Sequence, residues 1–417
     1  NSQFDTRCRG LITDWTDSGQ MKPFYNIESP MRPMVEISGK GEVLVLCSNN
    51  YLGLADHPEV IEAGVKGLRD YGAGTASVRF ICGTLDCHRS LESKIASFVG
   101  TESALSYVSC WNANEALFPT LVGPEDVILS DELNHASIID GMRLMSKSVT
   151  KKVYKHSSLE QLETLLQETQ SHPTRWVVTD GVFSMEGDVA KLPELVDLCK
   201  KYDAMLVVDD SHAVGVLGTG GKGTHEHFDL LGEVDVITGT LGKALGGAAG
   251  GYIAASADAI QILEQRGRPS LFSNALPATV AYSACKAIEV IENDPSIVAR
   301  LHSNVATIRQ GLADLGFDCT PSPTAIIPIM IGDEAEAIKK SKQLFDLGVM
   351  VIGFGFPVVP KGEARLRVQV SAALTDAHIQ QALDAFAKLS ERVAAGGQAL
   401  LSARLSPGLF AAAAMRK

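Results

Sequence analysis

The chain has 417 residues, 45% hydrophobic and 21% charged, enough for one large globular domain plus a smaller one. Its 37 basic and 49 acidic residues leave a net charge of −12, with no basic cluster, which argues against nucleic acid or an anionic membrane as the main partner. No apolar stretch reaches the length of a membrane span, no signal peptide is expected, and the 8 cysteines form no C-x-x-C pair. The expectation is a chain of free thiols in a reducing compartment, cytoplasm or mitochondrial matrix, not secreted and holding no metal.

In chain order, residues 1–50 read as an N-terminal arm ending in an edge strand at 43–46. Residues 51–290 read as a large domain in which short apolar runs alternate with helical periodicity. The candidate strands are 104–107, 127–129, 176–178, 206–208, 236–237 and 252–254. Between them lie helical patterns such as 89–99, 137–145, 159–169 and 192–202. This alternation implies an α/β fold with a large, mostly parallel sheet covered on both faces. Ligands of such sheets bind at the carboxyl ends of the strands. Helices at 278–292 and 296–315 lead into runs at 326–331, 349–352 and 365–370 and a helix at 376–393. Residues 291–393 are therefore expected as a small C-terminal α+β domain with antiparallel pairing. The tail, 394–417, is rich in Ala, Gly, Leu and Ser and reads as a frayed helix or disorder.

The most informative stretch is Thr238-Gly-Thr240-Leu-Gly-Lys243-Ala-Leu-Gly-Gly247, just after the apolar run 234–237. Upstream, the run 205–208 ends in Asp209-Asp-Ser-His212. A lysine closing a buried strand has its ammonium form disfavoured, so its amine becomes nucleophilic near neutral pH. An acid closing a second strand can keep a pyridinium nitrogen protonated. Together they point to pyridoxal 5'-phosphate. Taken singly, each has a plainer reading: a solvated turn lysine, a satisfied structural histidine at 212, and a metal site or strand-end cap at Asp209-Asp210. A nucleoside-triphosphate loop is excluded, because Ile237 and Ala244 stand where Gly and Ser or Thr are required. Gly218-Thr-Gly220-Gly-Lys-Gly223 fits G-x-G-x-x-G, but it does not follow its strand directly, and a glycine-rich loop near the site mouth is expected instead.

Several motifs together resemble the α-oxoamine synthases, which are fold-type I pyridoxal-phosphate transferases. They are Ser77-Val-Arg-Phe-Ile-Cys-Gly-Thr84, Asp131-Glu-Leu-Asn-His-Ala-Ser-Ile-Ile-Asp-Gly141, Thr179-Asp-Gly-Val-Phe-Ser-Met185, Asp209-Asp-Ser-His212, Thr238-Gly-Thr-Leu-Gly-Lys-Ala244, Pro357-Val-Val-Pro-Lys-Gly362 and Arg365-Leu-Arg-Val-Gln369. The resemblance runs from about residue 20 to 393. It implies a large sheet of seven strands and a homodimer whose two copies share each active site. Members that condense glycine with acetyl-CoA, and run the reverse in threonine breakdown, resemble this chain most. The implied activity is thus a C-acyltransferase joining a small amino acid to an acyl-CoA. A relative using another amino acid or thioester, or an aminotransferase or lyase on the same fold, is the alternative.

The resemblance also implies residue roles. Lys243 is the lysine that bonds to the cofactor and then moves the substrate proton, Asp209 holds the pyridine nitrogen, and His212 bonds the ring hydroxyl. His135 stacks on the ring; its plain reading is a helix-start histidine, with Ser137 or Asn134 as cap. The amides of Cys110 and Trp111, at a strand-to-helix junction, are placed for a phosphate, and Thr240 adds a hydroxyl. Ser273 and Asn274 reach that phosphate from the neighbouring subunit. Ser184 lies beside the ring hydroxyl, with Asp180 nearby. Arg367, assisted by Asn49, clamps the substrate carboxylate. Arg365 falls on the same strand face, so alternation alone leaves both arginines open. Trp111, Glu115, Phe356 and Leu374 depart from the family pattern and bear on the choice of substrates.

Overall fold

The computed structural model describes residues 1–18, 21, 23–356 and 358–404, with side chains described to residue 390. Helix α1 (Ser2–Asp17) leads to the antiparallel pair β1 (Met34–Ile37) and β2 (Gly41–Val45), followed by α2 (Pro58–Tyr71) and α3 (Asp86–Val99). The strand expected at the edge is instead the middle of three, in the order β1-β2-β11. Its outer partner is β11 (Val349–Met350), which pairs parallel to it at Val349↔Leu44. Pattern gave β2 one buried face but could not show a partner 300 residues away.

The large sheet takes β3 (Ser103–Tyr107), β4 (Val127–Asp131), β5 (Thr150–Tyr154), β6 (Arg175–Asp180), β7 (Met205–Asp209), β8 (Val236–Thr240) and β9 (Gly251–Ala255), in the order β3-β9-β8-β7-β6-β4-β5. Only β9 runs antiparallel to its neighbours. Helices α4 (Cys110–Leu121), α5 (Ala136–Arg143), α6 (Leu159–Glu168) and α7 (Leu192–Tyr202) make crossovers between its strands. Strands β4, β6 and β9 are buried at every position, as expected for strands covered on both faces. The seventh strand, β5, escaped the sequence reading because Thr-Lys-Lys-Val-Tyr has no apolar run. It is an edge strand, and its lysines blunt the exposed ladder.

In the C-terminal part, β10 (Ile326–Gly332), β12 (Ile352–Phe354) and β13 (Ala364–Gln369) form an antiparallel sheet in the order β10-β13-β12. The run expected as one strand at 349–352 divides at Val351: its first half joins β2 and its second joins β13. Backbone bonds from Gln369 N to the Leu46 carbonyl and from Ala372 N to the Tyr51 carbonyl tie the 46–51 segment to this region. Asn49 and Tyr51 are thereby brought alongside β13. The last helix spans Asp376–Arg404; the rest of the tail, like Pro357 of the 357–362 motif, lies outside the described residues.

Candidate active site

Parallel strands bring their carboxyl ends to one edge of the large sheet, where β7 ends in Asp209 and β8 in Thr240. The turn after β8 presents Lys243. Its Nζ lies 2.9 Å from Nε2 of His212, whose Nδ1 lies 2.8 Å from the Tyr51 hydroxyl. Gln369 Nε2 donates to that hydroxyl at 2.8 Å and to Asn49 Oδ1 at 2.7 Å. Arg367 Nη2 then donates to Gln369 Oε1 at 3.1 Å. One hydrogen-bonded chain therefore runs from the arginine to the lysine.

The electrostatics suit a neutral amine. Burial lowers the Lys243 pKa, against the pull of Asp209. Burial, reinforced by the Lys243 charge, holds His212 well below the ordinary imidazole range. Tyr51 is pushed up to about 12, mainly by burial, and stays a phenol.

Asp209 is buried and accepts from Asn114 Nδ2 at 2.7 Å, from the Ser211 amide at 3.1 Å and from the Cys110 thiol at 3.7 Å. Beside it across the β6–β7 ladder stands Asp180, whose pKa burial raises well above the carboxylate range. The Oδ1 of Asp180 has no partner among the described residues.

Three sequence-selected groups gather round this pair. Ser109 caps α4 by accepting from the Asn112 amide at 3.1 Å, leaving the first-turn amides of Cys110 and Trp111 without intrahelical acceptors. Thr240 Oγ1 accepts from the Gly242 amide at 3.1 Å and donates to the Gly250 carbonyl at 3.2 Å, shaping the turn before Lys243. His135 itself caps α5, accepting from the Ser137 amide at 3.2 Å; Asn134 instead bonds the Val178 carbonyl and the Asp180 amide, so neither expected cap is used. His135 is exposed, yet crowding round its ring lowers its pKa, and Trp111 meets it edge-on at 6.0 Å.

The two arginines are resolved by their partners. Arg365 is buried and paired with Glu186 and Glu363. Arg367 donates to the Ser184 carbonyl at 2.9 Å and lies over the Phe354 ring at 4.8 Å. Among the described residues it has no carboxylate partner, and its Nε is buried without an acceptor. A half-buried guanidinium in that state is ready for a carboxylate from outside the chain.

Ser273 and Asn274 are not brought to the cluster in the single chain. They follow a short helix, Arg268–Phe272, and Asn274 pairs with Val78 beside exposed Phe80, Ile81 and Phe272. Sequence reasoning missed Tyr51, Asn114 and Gln369. Their only signal was position: Tyr51 is two residues from Asn49, Gln369 two from Arg367, and Asn114 one helical turn from Cys110. Two family departures prove to be one, because Glu115 accepts the Trp111 indole N–H at 3.0 Å, a bond phenylalanine would not need. Leu374 is buried in the core and Phe356 is half-exposed near Lys361, so neither joins the cluster.

The family model for aminotransferase classes I and II matches residues 41–386. A 2-amino-3-ketobutyrate coenzyme A ligase of Salmonella typhimurium is 47% identical over 377 residues, covering 90% of this chain and 94% of that one. The human mitochondrial protein of the same name is 44% identical over 373 residues, covering 89% of this chain and 88% of its own. A lysine-to-alanine variant of a serine palmitoyltransferase of S. paucimobilis, solved with a bound PLP–myriocin aldimine, superposes with a TM-score of 0.87 at 31% identity, covering 94% of this chain and 99% of that one. The chain belongs to the α-oxoamine synthase family. Its α/β architecture is that of the fold-type I members, with the cluster at the sheet edge where such a fold builds its site.

One contact of this α-oxoamine synthase is testable at once. A Cβ placed on Gly251 would lie 2.2 Å from the Cys110 amide nitrogen, because β9 begins directly under the α4 N-terminus. Gly251→Ala must displace that first turn, and about 1–3 kcal/mol of stability should be lost in thermal or urea unfolding. The variant should also release bound pyridoxal phosphate on dialysis faster than wild type.

Proposed function

We propose that this chain is a pyridoxal-phosphate-dependent acyltransferase that condenses glycine with acetyl-CoA to 2-amino-3-oxobutyrate and CoA, and runs the reverse in threonine breakdown. The observation that carries this reading is the hydrogen-bonded chain joining a pKa-lowered Lys243 to the carboxylate-free Arg367. It supplies a base and a carboxylate clamp at the two ends of one network. The residues fit the cofactor: amides of Cys110 and Trp111 for the phosphate, Asp209 for the pyridine nitrogen, His212 and Ser184 for the ring hydroxyl, His135 for the ring face and Lys243 for the aldehyde. When bound, that cofactor supplies the electron sink that makes a hydrogen on the amino-acid α-carbon acidic.

The chain's own residues do the rest. Arg367, braced by the Ser184 carbonyl and Gln369, holds the glycine carboxylate with Asn49 alongside. Lys243 Nζ takes the α-proton; its lowered pKa keeps enough of the amine neutral to do so. Asp209, fixed by Asn114, keeps the pyridine nitrogen protonated. In the net reaction the glycine α-carbon bonds to the acetyl carbonyl carbon, the C–S bond breaks, and the departing thiolate takes up a proton.

The site is completed in a homodimer, where Ser273 and Asn274 of a second copy reach the phosphate. Exposed Phe80, Ile81 and Phe272 beside them support that packing. The −12 charge argues against nucleic acid or an anionic bilayer as the main partner, and among the described residues no helix is long and apolar enough to cross a membrane. Similarity to both a bacterial and a mitochondrial enzyme supports cytoplasm or mitochondrial matrix as the compartment.

Thiol release from acetyl-CoA tests the reading. It should require glycine as well as the protein, and should exceed the rate with serine, alanine or longer acyl thioesters. Keto-acid formation without CoA turnover would instead mark an aminotransferase. Arg367→Lys keeps the charge but loses the planar fork, so the glycine KM should rise about 10–100-fold, the loss of 1.5–3 kcal/mol expected for a charge-assisted bond. Because the Lys243 pKa is lowered, the amine turns over as base at a pH where an ordinary lysine is charged. Rate should fall as pH drops through that lowered value.

A further inference from the structure

The loop between β6 and α7 carries Ser184, whose carbonyl holds Arg367, and Met185, whose carbonyl holds Arg365. Inside the loop, Phe183 N donates to the Asp188 carbonyl, Gly187 N to the Phe183 carbonyl, and Val182 pairs with Val189. On its C-terminal-sheet side, Thr324 donates to the Gly187 carbonyl at 2.7 Å. A second support comes from His156, on the segment between β5 and α6.

Both nitrogens of His156 face carboxylates: Nδ1 lies 3.1 Å from Asp131 Oδ1 and Nε2 lies 2.9 Å from Asp188 Oδ2. Its ring meets the Phe183 ring edge-on at 4.4 Å. The backbone that aims it is constrained, because Ser157 has a φ of 54°, a left-handed conformation unusual for serine. Asp131 Oδ2 accepts the Ser157 amide at 2.9 Å, Glu132 Oε1 accepts the His156 amide at 2.9 Å, and Lys191 donates to the Ser157 carbonyl at 3.1 Å. A ring that donates from both nitrogens is an imidazolium. Burial alone would lower its pKa, but the bonds to Asp131 and Asp188 outweigh that and raise it to about 10. The clamp is therefore complete below the ordinary imidazole pKa and fades only as pH rises through about 10. The other charged groups around it are Glu132 and Lys155, paired with each other, with Glu186 and Lys191.

We propose that His156 is a positioning residue for the amino-acid substrate: by clamping Asp188 to Asp131 it sets the 181–190 loop so that the Ser184 carbonyl aims Arg367 at the substrate carboxylate. The inference rests on the role proposed for Arg367. Lys243 and Asp209 make no hydrogen bond to His156, so proton transfer is spared when the clamp is lost.

The test titrates glycine into the pyridoxal-phosphate holoenzyme, following its visible band, and then measures steady-state thiol release with acetyl-CoA. His156→Ala should weaken glycine binding and raise its KM about 10–100-fold, as when a charge-assisted bond to the substrate carboxylate is weakened, with kcat changed less than about 3-fold. His156→Gln keeps a donor and should fall between alanine and wild type. Asp188→Ala removes the acceptor from the other side, should move KM the same way, and decides the matter if His156→Ala does not fold. A lower melting temperature with unchanged glycine affinity, or a kcat loss at unchanged KM, overturns the proposal. If Arg367→Lys weakens glycine and the clamp variants do not, the proposal alone fails. A wild-type holoenzyme that does not respond to glycine removes the proposal together with the functional reading.

Discussion

Lys243→Ala should lose the visible band of the holoenzyme and at least about 10²–10⁴-fold in turnover, the range for removing a positioned proton-transfer group alone. The loss should exceed that of any other single substitution, because in the proposed reaction the same amine would both bond to the cofactor and move the α-proton. The fold should survive. Lys243 sits in a turn after β8 and is only half-buried, and its side-chain partner among the described residues, His212, keeps its bond to Tyr51. An added primary amine of small size should restore part of the rate by occupying the vacated space. A variant that keeps its band and runs within a few-fold of wild type would mean that another group is the base.

Asp209→Asn should separate chemistry from stability at the second anchor. Asn114 Nδ2 and the Ser211 amide bond different oxygens of Asp209, so the single amide oxygen can keep one of the two, and the stability lost should be smaller than in Asp209→Ala. It cannot hold a proton on a pyridine nitrogen, and rate should drop about 10²–10³-fold, as when a preorganised electrostatic partner is removed. Asp209→Ala should do the same to the rate and also cost about 1–3 kcal/mol of stability, since the Asn114 amide is then buried without its acceptor. Equal stability of the two variants, or an Asn variant near wild-type rate, would contradict the role given to Asp209.

Much of this was legible in the chain, and the reason is local. Lys243, Asp209, Cys110 and His135 each sit where a strand gives way to a turn or helix, and that junction is written in consecutive residues. Six of the seven large-sheet strands show as apolar runs for the same reason. The lysine-bearing β5 does not, because an edge strand needs only one buried neighbour. What stayed hidden depends on distant pairing. Nothing near Val43 shows that β11 will lie beside it, or that Gln369 will reach Asn49 and Tyr51. The choice between Arg365 and Arg367 also needed three dimensions, because the carboxylates that occupy Arg365 include one from the β6–α7 loop. His156 was invisible for a similar reason: its two carboxylates come from 25 and 32 residues away.

The most direct check is borohydride reduction of the holoenzyme followed by peptide mass mapping. One phosphopyridoxyl group per chain should appear on the ε-nitrogen at position 243, and none after prior saturation with an amino-acid substrate that displaces it. A reduced protein without that mass, or with it on a different lysine, would contradict the account.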